Sequence, residues 1–175
     1  MSAGDRTCEI RAALCSIDDK PGFLLRLKEV AWRCNTHLIC FNADMLAGRR
    51  HAESAVLHAV RSFESGDAIS NTLEMEALLY AAGSRQCNVA ASFGIHEGEN
   101  RLWVCCYPSA ESMWDALTPV LQFCDANAWD GMDHKKRERL MQIYEITPEE
   151  LETLDKGDRL ADLVLERVAL LNVLR

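Results

Sequence analysis

Arg85 and Gln86 stand at the mouth of a helix. In the stretch LLYAAGSRQCNVAASFGI, residues 78–95, Ala82-Gly83-Ser84 interrupts one helical run and a second follows. A helix start carries unpaired N–H groups and the positive end of the helix dipole, so it takes phosphate readily. Arg85 adds a bidentate donor. Ser84 offers a hydroxyl as cap, and Arg49 and Arg50, just before an earlier helix, extend a basic rim. The chemistry would be anion binding. The other reading is a corner between helices whose arginine pairs with an internal carboxylate such as Glu76. Both stay open.

Other reactive side chains form no catalytic signature. The chain lacks the nucleophile elbow, the phosphate loop, the dinucleotide glycine pattern and the His-Glu-x-x-His zinc motif. None of the eight cysteines falls in a Cys-x-x-Cys pair, and their apolar neighbours suit small, reduced core residues. Cys105 and Cys106 are adjacent on a predicted strand, so they point to opposite faces. A thiol enzyme using either of them, with His96 nearby, is the alternative. His51 and His58 share a helix face, but without a third ligand they read as surface or boundary residues. Glu74 and Glu76 point to different sides of a helix and cannot act as a pair. The expectation is a protein with no catalytic residue, metal or cofactor.

The elements that position these residues follow from periodicity. Thr7–Ile17 reads as a strand, and Asp18 to Gly22 opens a helix with apolar positions through Cys34. His37–Phe41 is a second strand, and 44–48 a brief third. His51–Ser65 is amphipathic and ends at Gly66. Asn71 and Glu74 have capping-box spacing for a helix over 72–82, which Gly83 ends. Ser84 caps the next helix, which Gly94 ends. RLWVCCY, 101–107, is the clearest strand. A helix over 112–126 is kinked or broken at Pro119. A charged, solvated helix covers 133–144, Thr147-Pro148 starts another, and Arg159–Leu174 forms the last. Few strands among many helices predict an α+β fold: a small, mainly antiparallel sheet packed with several α-helices. One domain is expected over 1–175, with the C-terminal helical part 133–175 packed on it.

Composition bounds the setting. The 49% hydrophobic and 26% charged residues are those of a globular protein. Without an apolar leader or a span of about 20 apolar residues, a cytoplasmic protein without membrane contact is expected. The net charge of −8 opposes free-standing nucleic-acid binding, though a local basic patch still works inside a larger assembly. The terminal helix is polar along Asp158, Arg159, Asp162 and Glu166, then apolar nearly all round over VALLNVL, 168–174. Such an end either inserts into its own core or docks a partner. A homodimer through this helix is a further alternative.

Residues 42–95 carry a resemblance. Phe41-Asn42-Ala43 precedes Leu46-x-Gly48; Ala52, Ala55, Ala59, Arg61, Phe63, Gly66 and Ile69 follow. Leu73, Glu76, Leu78, Leu79, Tyr80, Ala82, Gly83, Arg85 and Gln86 then match a Glu-x-Leu-Leu-Tyr-x-x-Gly-x-Arg-Gln core, continued by Phe93-Gly94-Ile95. This resembles the KEOPS kinase-binding subunit family, known in animals as TPRKB. The ending LVLERVALLNVLR is similar to archaeal members, whereas Cys87 departs from an expected aliphatic residue. The resemblance implies a non-catalytic subunit of an assembly that installs threonylcarbamoyladenosine in tRNA. It implies docking to the small atypical kinase/ATPase subunit, indirect contact with other KEOPS subunits, and help in recruiting the tRNA 3′ CCA end. Carried onto this chain, the kinase surface is Leu163, Arg167, Leu170, Leu171 and Leu174. The tRNA contacts are Ser84, Arg85, Gln86, Arg49 and Arg50.

Overall fold

The computed structural model describes residues 7–152 and 159–173. The strands are β1 (Glu9–Ile17), β2 (His37–Asn42), β3 (Gly98–Tyr107) and β4 (Gln122–Cys124). They form one antiparallel sheet in the order β2-β3-β1-β4. The helices are α1 (Lys20–Arg33), α2 (Arg49–Ser65), α3 (Leu73–Ala82), α4 (Cys87–Ala91), α5 (Glu111–Leu117), α6 (His134–Ile143), α7 (Pro148–Glu152) and α8 (Arg159–Leu170). The architecture is α+β.

The sheet is covered on both faces, which explains why RLWVCCY is apolar at successive positions rather than alternate ones. Ile10, Ala12, Ile39, Phe41, Trp103 and Cys105 face a core shared with α2, α3, α6 and α8. Ala13, Ile17, Leu38, Leu102, Val104 and Cys106 face a second core under α1 and α5. Register links the two descriptions: Cys105 lies opposite Ile10 on one side and Ile39 on the other. Cys105 and Cys106 thus point to opposite faces. Helix α3 is buried almost all round, through Leu73, Ala77, Leu79, Tyr80, Ala81 and Ala82, and forms the centre of the larger layer.

Several expected boundaries move, each for a local reason. Residues 44–48 are not a strand. The Asn42 side-chain oxygen accepts the Asp44 N–H at 3.0 Å and curls Ala43–Met45 into a 3-10 turn. Helix α2 begins at Arg49, two residues early, after Gly48 at φ +128°. Thr72, not Asn71, caps α3, accepting the Met75 N–H at 3.2 Å, while Glu74 turns away to His37, 2.8 Å from its Nδ1. The run 112–126 does not stay helical. Helix α5 ends at Leu117 ahead of Pro119, and residues 122–124 become edge strand β4, pairing Ala13 with Phe123. A 3-10 turn, Asn127–Asp130, connects β4 towards α6.

Candidate functional site

The corner after α3 is built on Gly83. Its φ of +60° is left-handed, and the Gly83 and Ser84 N–H groups return to the carbonyls of Tyr80 and Leu79. A Cβ there would also come within 3.3 Å of the Tyr144 ring. Ser84 is not the cap of α4: its Oγ accepts the Gln86 N–H at 3.1 Å, and Gln86 occupies the cap position with no side-chain bond. Arg85 and Gln86 are exposed and Ser84 half-buried.

The alternative partner for Arg85 is occupied elsewhere. Glu76 is fully buried, and its carboxylate accepts the Ile69 N–H at 3.0 Å and the Ser70 N–H at 2.8 Å. It holds the loop between α2 and α3. Among the described residues Arg85 makes no ion pair.

Beneath this corner lies His51, which is 1% exposed rather than a surface residue. Its Nδ1 accepts the Ala47 N–H at 3.0 Å, which puts the ring proton on Nε2. That N–H donates to the Ala81 carbonyl at 2.9 Å. The Tyr144 hydroxyl donates to the same carbonyl and stands 3.2 Å from Nε2. Burial pushes the His51 pKa down to about 4, against the raising effect of the Ala81 carbonyl, and burial raises that of Tyr144. One imidazole thus ties the start of α2, the end of α3 and the end of α6. His58 is half-buried and stacks on Tyr80, ring centroids 5.3 Å apart.

His51 brings the start of α2 to the end of the molecule that carries Gly83, but the two arginines there are engaged. Arg49 Nη2 donates to the Ile10 carbonyl at 2.7 Å, and its backbone N–H to Asp130 at 2.8 Å. Arg50 reaches Asp162 at 3.7 Å, across a groove of about 300 Å³ where α2 meets α8. Of the five residues expected to meet RNA, Arg85 and Gln86 face solvent without such ties.

Helix α8 resolves into two faces. Leu160, Leu163, Val164, Val168 and Leu171 lie in the larger core. Leu163 and Leu171 are therefore core residues of this chain; the period places them inward with Val164 and Val168. Arg167 clips α8 to α7 through Glu150 Oε2 at 2.8 Å and also reaches the Tyr144 carbonyl. The outward face carries Asp162 and Glu166 first, then Leu170, 39% exposed; Val173, 73% exposed, follows in the turn after the helix. Leu165 and Ala169, half-buried, flank this apolar end. Leu174 lies outside the described residues. Ala169 and Val173 lie in the same apolar run as Leu171, and Leu165 lies ahead of it beside Leu163; only the register of the buried face separates the two sets.

Cys105 and Cys106 are poorly placed for catalysis. Cys105 and Cys106 are buried, and burial raises both pKa values. His96 precedes β3 while the cysteines lie near its far end, about 23–26 Å along the strand from Gly98 at about 3.3 Å per residue. Among the described residues no helix is long and apolar enough to cross a membrane.

No curated protein matches the chain. The family model described as kinase binding protein CGI-121 matches residues 10–172, which spans nearly all of the sheet and both helical layers. The chain therefore belongs to that kinase-binding family, the KEOPS kinase-binding subunit family that residues 42–95 resemble.

Proposed function

We propose that this chain is a non-catalytic KEOPS subunit that docks the small atypical kinase/ATPase subunit through the outer, C-terminal end of α8. The observation that carries the reading is the change of character along one helix face. Asp162 and Glu166 suit water, whereas Leu170 and Val173 expose apolar surface on a helix already anchored by its other side. An anchored apolar ridge offers a partner a preformed surface, so little ordering cost opposes docking. The start of α2, beside the groove at Arg50 and Leu165, adds a polar rim.

The second half of the reading is tRNA recruitment in threonylcarbamoyladenosine synthesis, with Arg85 and Gln86 meeting the 3′ CCA end. Its support is that both side chains project from a fixed corner and that Glu76 does not neutralise Arg85. Single-stranded ends offer phosphates to a guanidinium and base edges to an amide.

Co-purification with the kinase subunit tests the docking half. Leu170→Glu combined with Val173→Glu is expected to abolish capture while the thermal unfolding midpoint stays within about 2 °C. Undiminished capture by the folded double variant would remove α8 from the interface.

A further inference from the structure

A second concentration of charge shares no residue with the corner at 83–86 or with the apolar end of α8. Arg101 from β3 and Lys135, Lys136 and Arg139 from α6 surround a cavity of about 540 Å³, walled on one side by Trp129. The volume is that of a small-molecule site. Two carboxylates, Asp44 and Asp133, share the wall, so cations exceed anions in a chain whose net charge is −8.

The bonds that hold Arg139 and Lys136 orient them without cancelling them, whereas Arg101 is paired with a carboxylate. Arg139 Nη1 donates to the Asp44 backbone carbonyl at 2.7 Å, and Lys136 Nζ to the Trp129 carbonyl at 3.2 Å. Both acceptors are neutral. Arg101 lies over the Trp129 ring, 4.7 Å from its centroid, and Trp129 is itself braced edge-to-face by Trp103 at 5.5 Å. Asp44 is paired with Arg101 at 3.1 Å. Asp133 accepts the Lys136 backbone N–H at 2.8 Å as the cap of α6. Lys135 is exposed and makes no ion pair among the described residues.

Like charges are thus held together around one cavity, with Lys136 half-buried and Arg101, Lys135 and Arg139 exposed. Burial, then the neighbouring Arg101 charge, lowers the Lys136 pKa, against Asp44, Asp130 and Asp133. An anion entering the cavity would relieve that repulsion. Two guanidinium forks and two ammonium groups suit a group with several oxygens and more than one negative charge, which a single carboxylate is not.

We propose that this cavity binds the phosphate or diphosphate group of a phosphorylated ligand, at a site separate from the kinase-docking ridge and from Arg85. The two guanidinium groups take phosphate oxygens in pairs, Lys136 closes the inner side, and Lys135 stands at the mouth. The site does not depend on the proposed role in tRNA modification.

Calorimetric titration of the full chain with sodium pyrophosphate at low salt tests this. Saturable one-site binding is expected, weakened about tenfold or more by Lys135→Glu and by Lys136→Met. Arg26→Glu, an exposed charge reversal on α1, is expected to leave affinity unchanged. Circular dichroism checks that each variant is folded. The exposed Lys135 keeps the test valid if Lys136→Met unfolds. Competition by a short single-stranded RNA lacking a terminal phosphate would identify a strand as the phosphate's source; competition by a nucleoside diphosphate alone would identify a free small ligand. Absence of saturable binding up to about 10 mM pyrophosphate, or equal effects of Lys135→Glu and Arg26→Glu, would overturn the proposal.

Discussion

His51 is a polar side chain used as a core joint. It satisfies the Ala47 amide and the Ala81 carbonyl with one ring, so its charged form has no place in the folded state. The folded pKa of about 4 lies below the ordinary 6.5. Between those values the unfolded chain binds the extra proton and the folded chain does not, so stability rises with pH. The contribution is complete above about pH 6.5 and is lost as pH falls towards 4, at most about 3 kcal/mol. His51→Gln removes this titration along with its bonds. Urea unfolding is expected to show a gap between native protein and variant that narrows from pH 7 to pH 4; a constant gap would mean that the imidazole does not titrate as its burial requires. The stripe of Ala52, Ala55 and Ala59 already bordered His51 in sequence, at positions one, four and eight residues on. What periodicity could not supply was the pair of backbone groups, far apart along the chain, that make a buried imidazole tolerable.

At the scale of elements, α8 shows how one helix serves a core and a surface. Leu163 is enclosed among side chains of the larger core, and removing its methyl groups leaves a cavity. Leu163→Ala is expected to cost about 2–4 kcal/mol in chemical denaturation, whereas Leu170→Ala costs under about 1 kcal/mol. Equal costs would mean that the buried face has been misassigned. Strong local signals made most elements legible: Gly66 and Gly83 as stops, Thr147-Pro148 as a start, RLWVCCY as a strand. Strand β4 was not, because Gln122-Phe123-Cys124 is too short for alternation and exists only through its pairing with β1. The α3 cap slipped by one residue because Asn71 and Thr72 are both competent, and Glu74 is drawn off by His37. The corner at 83–86 was legible as a corner. The freedom of Arg85 was not, since it depends on where Glu76 spends its carboxylate.

For the whole molecule, charge decides what this chain can do without partners. Its −8 net charge repels RNA over distances up to the Debye length, about 8 Å at physiological salt. Attraction must come from local groups or from a partner. Each phosphate neutralised on a single strand contributes a slope of about −0.7 in log affinity against log salt. On the proposed contact of Arg85 with the tRNA end, the isolated chain is expected to bind weakly with a shallow slope, and the kinase-bound assembly more tightly and steeply. Arg85→Ala is expected to flatten the slope of that assembly by about 0.7 and to leave kinase capture intact, because the corner lies on α3–α4 and not on α8. Gln86→Ala removes no charge, so it should lower affinity with the slope unchanged. Filter binding across a salt series separates the two substitutions. An unaltered slope in Arg85→Ala would mean that its guanidinium meets no phosphate, and the tRNA contact would have to be sought elsewhere on the molecule.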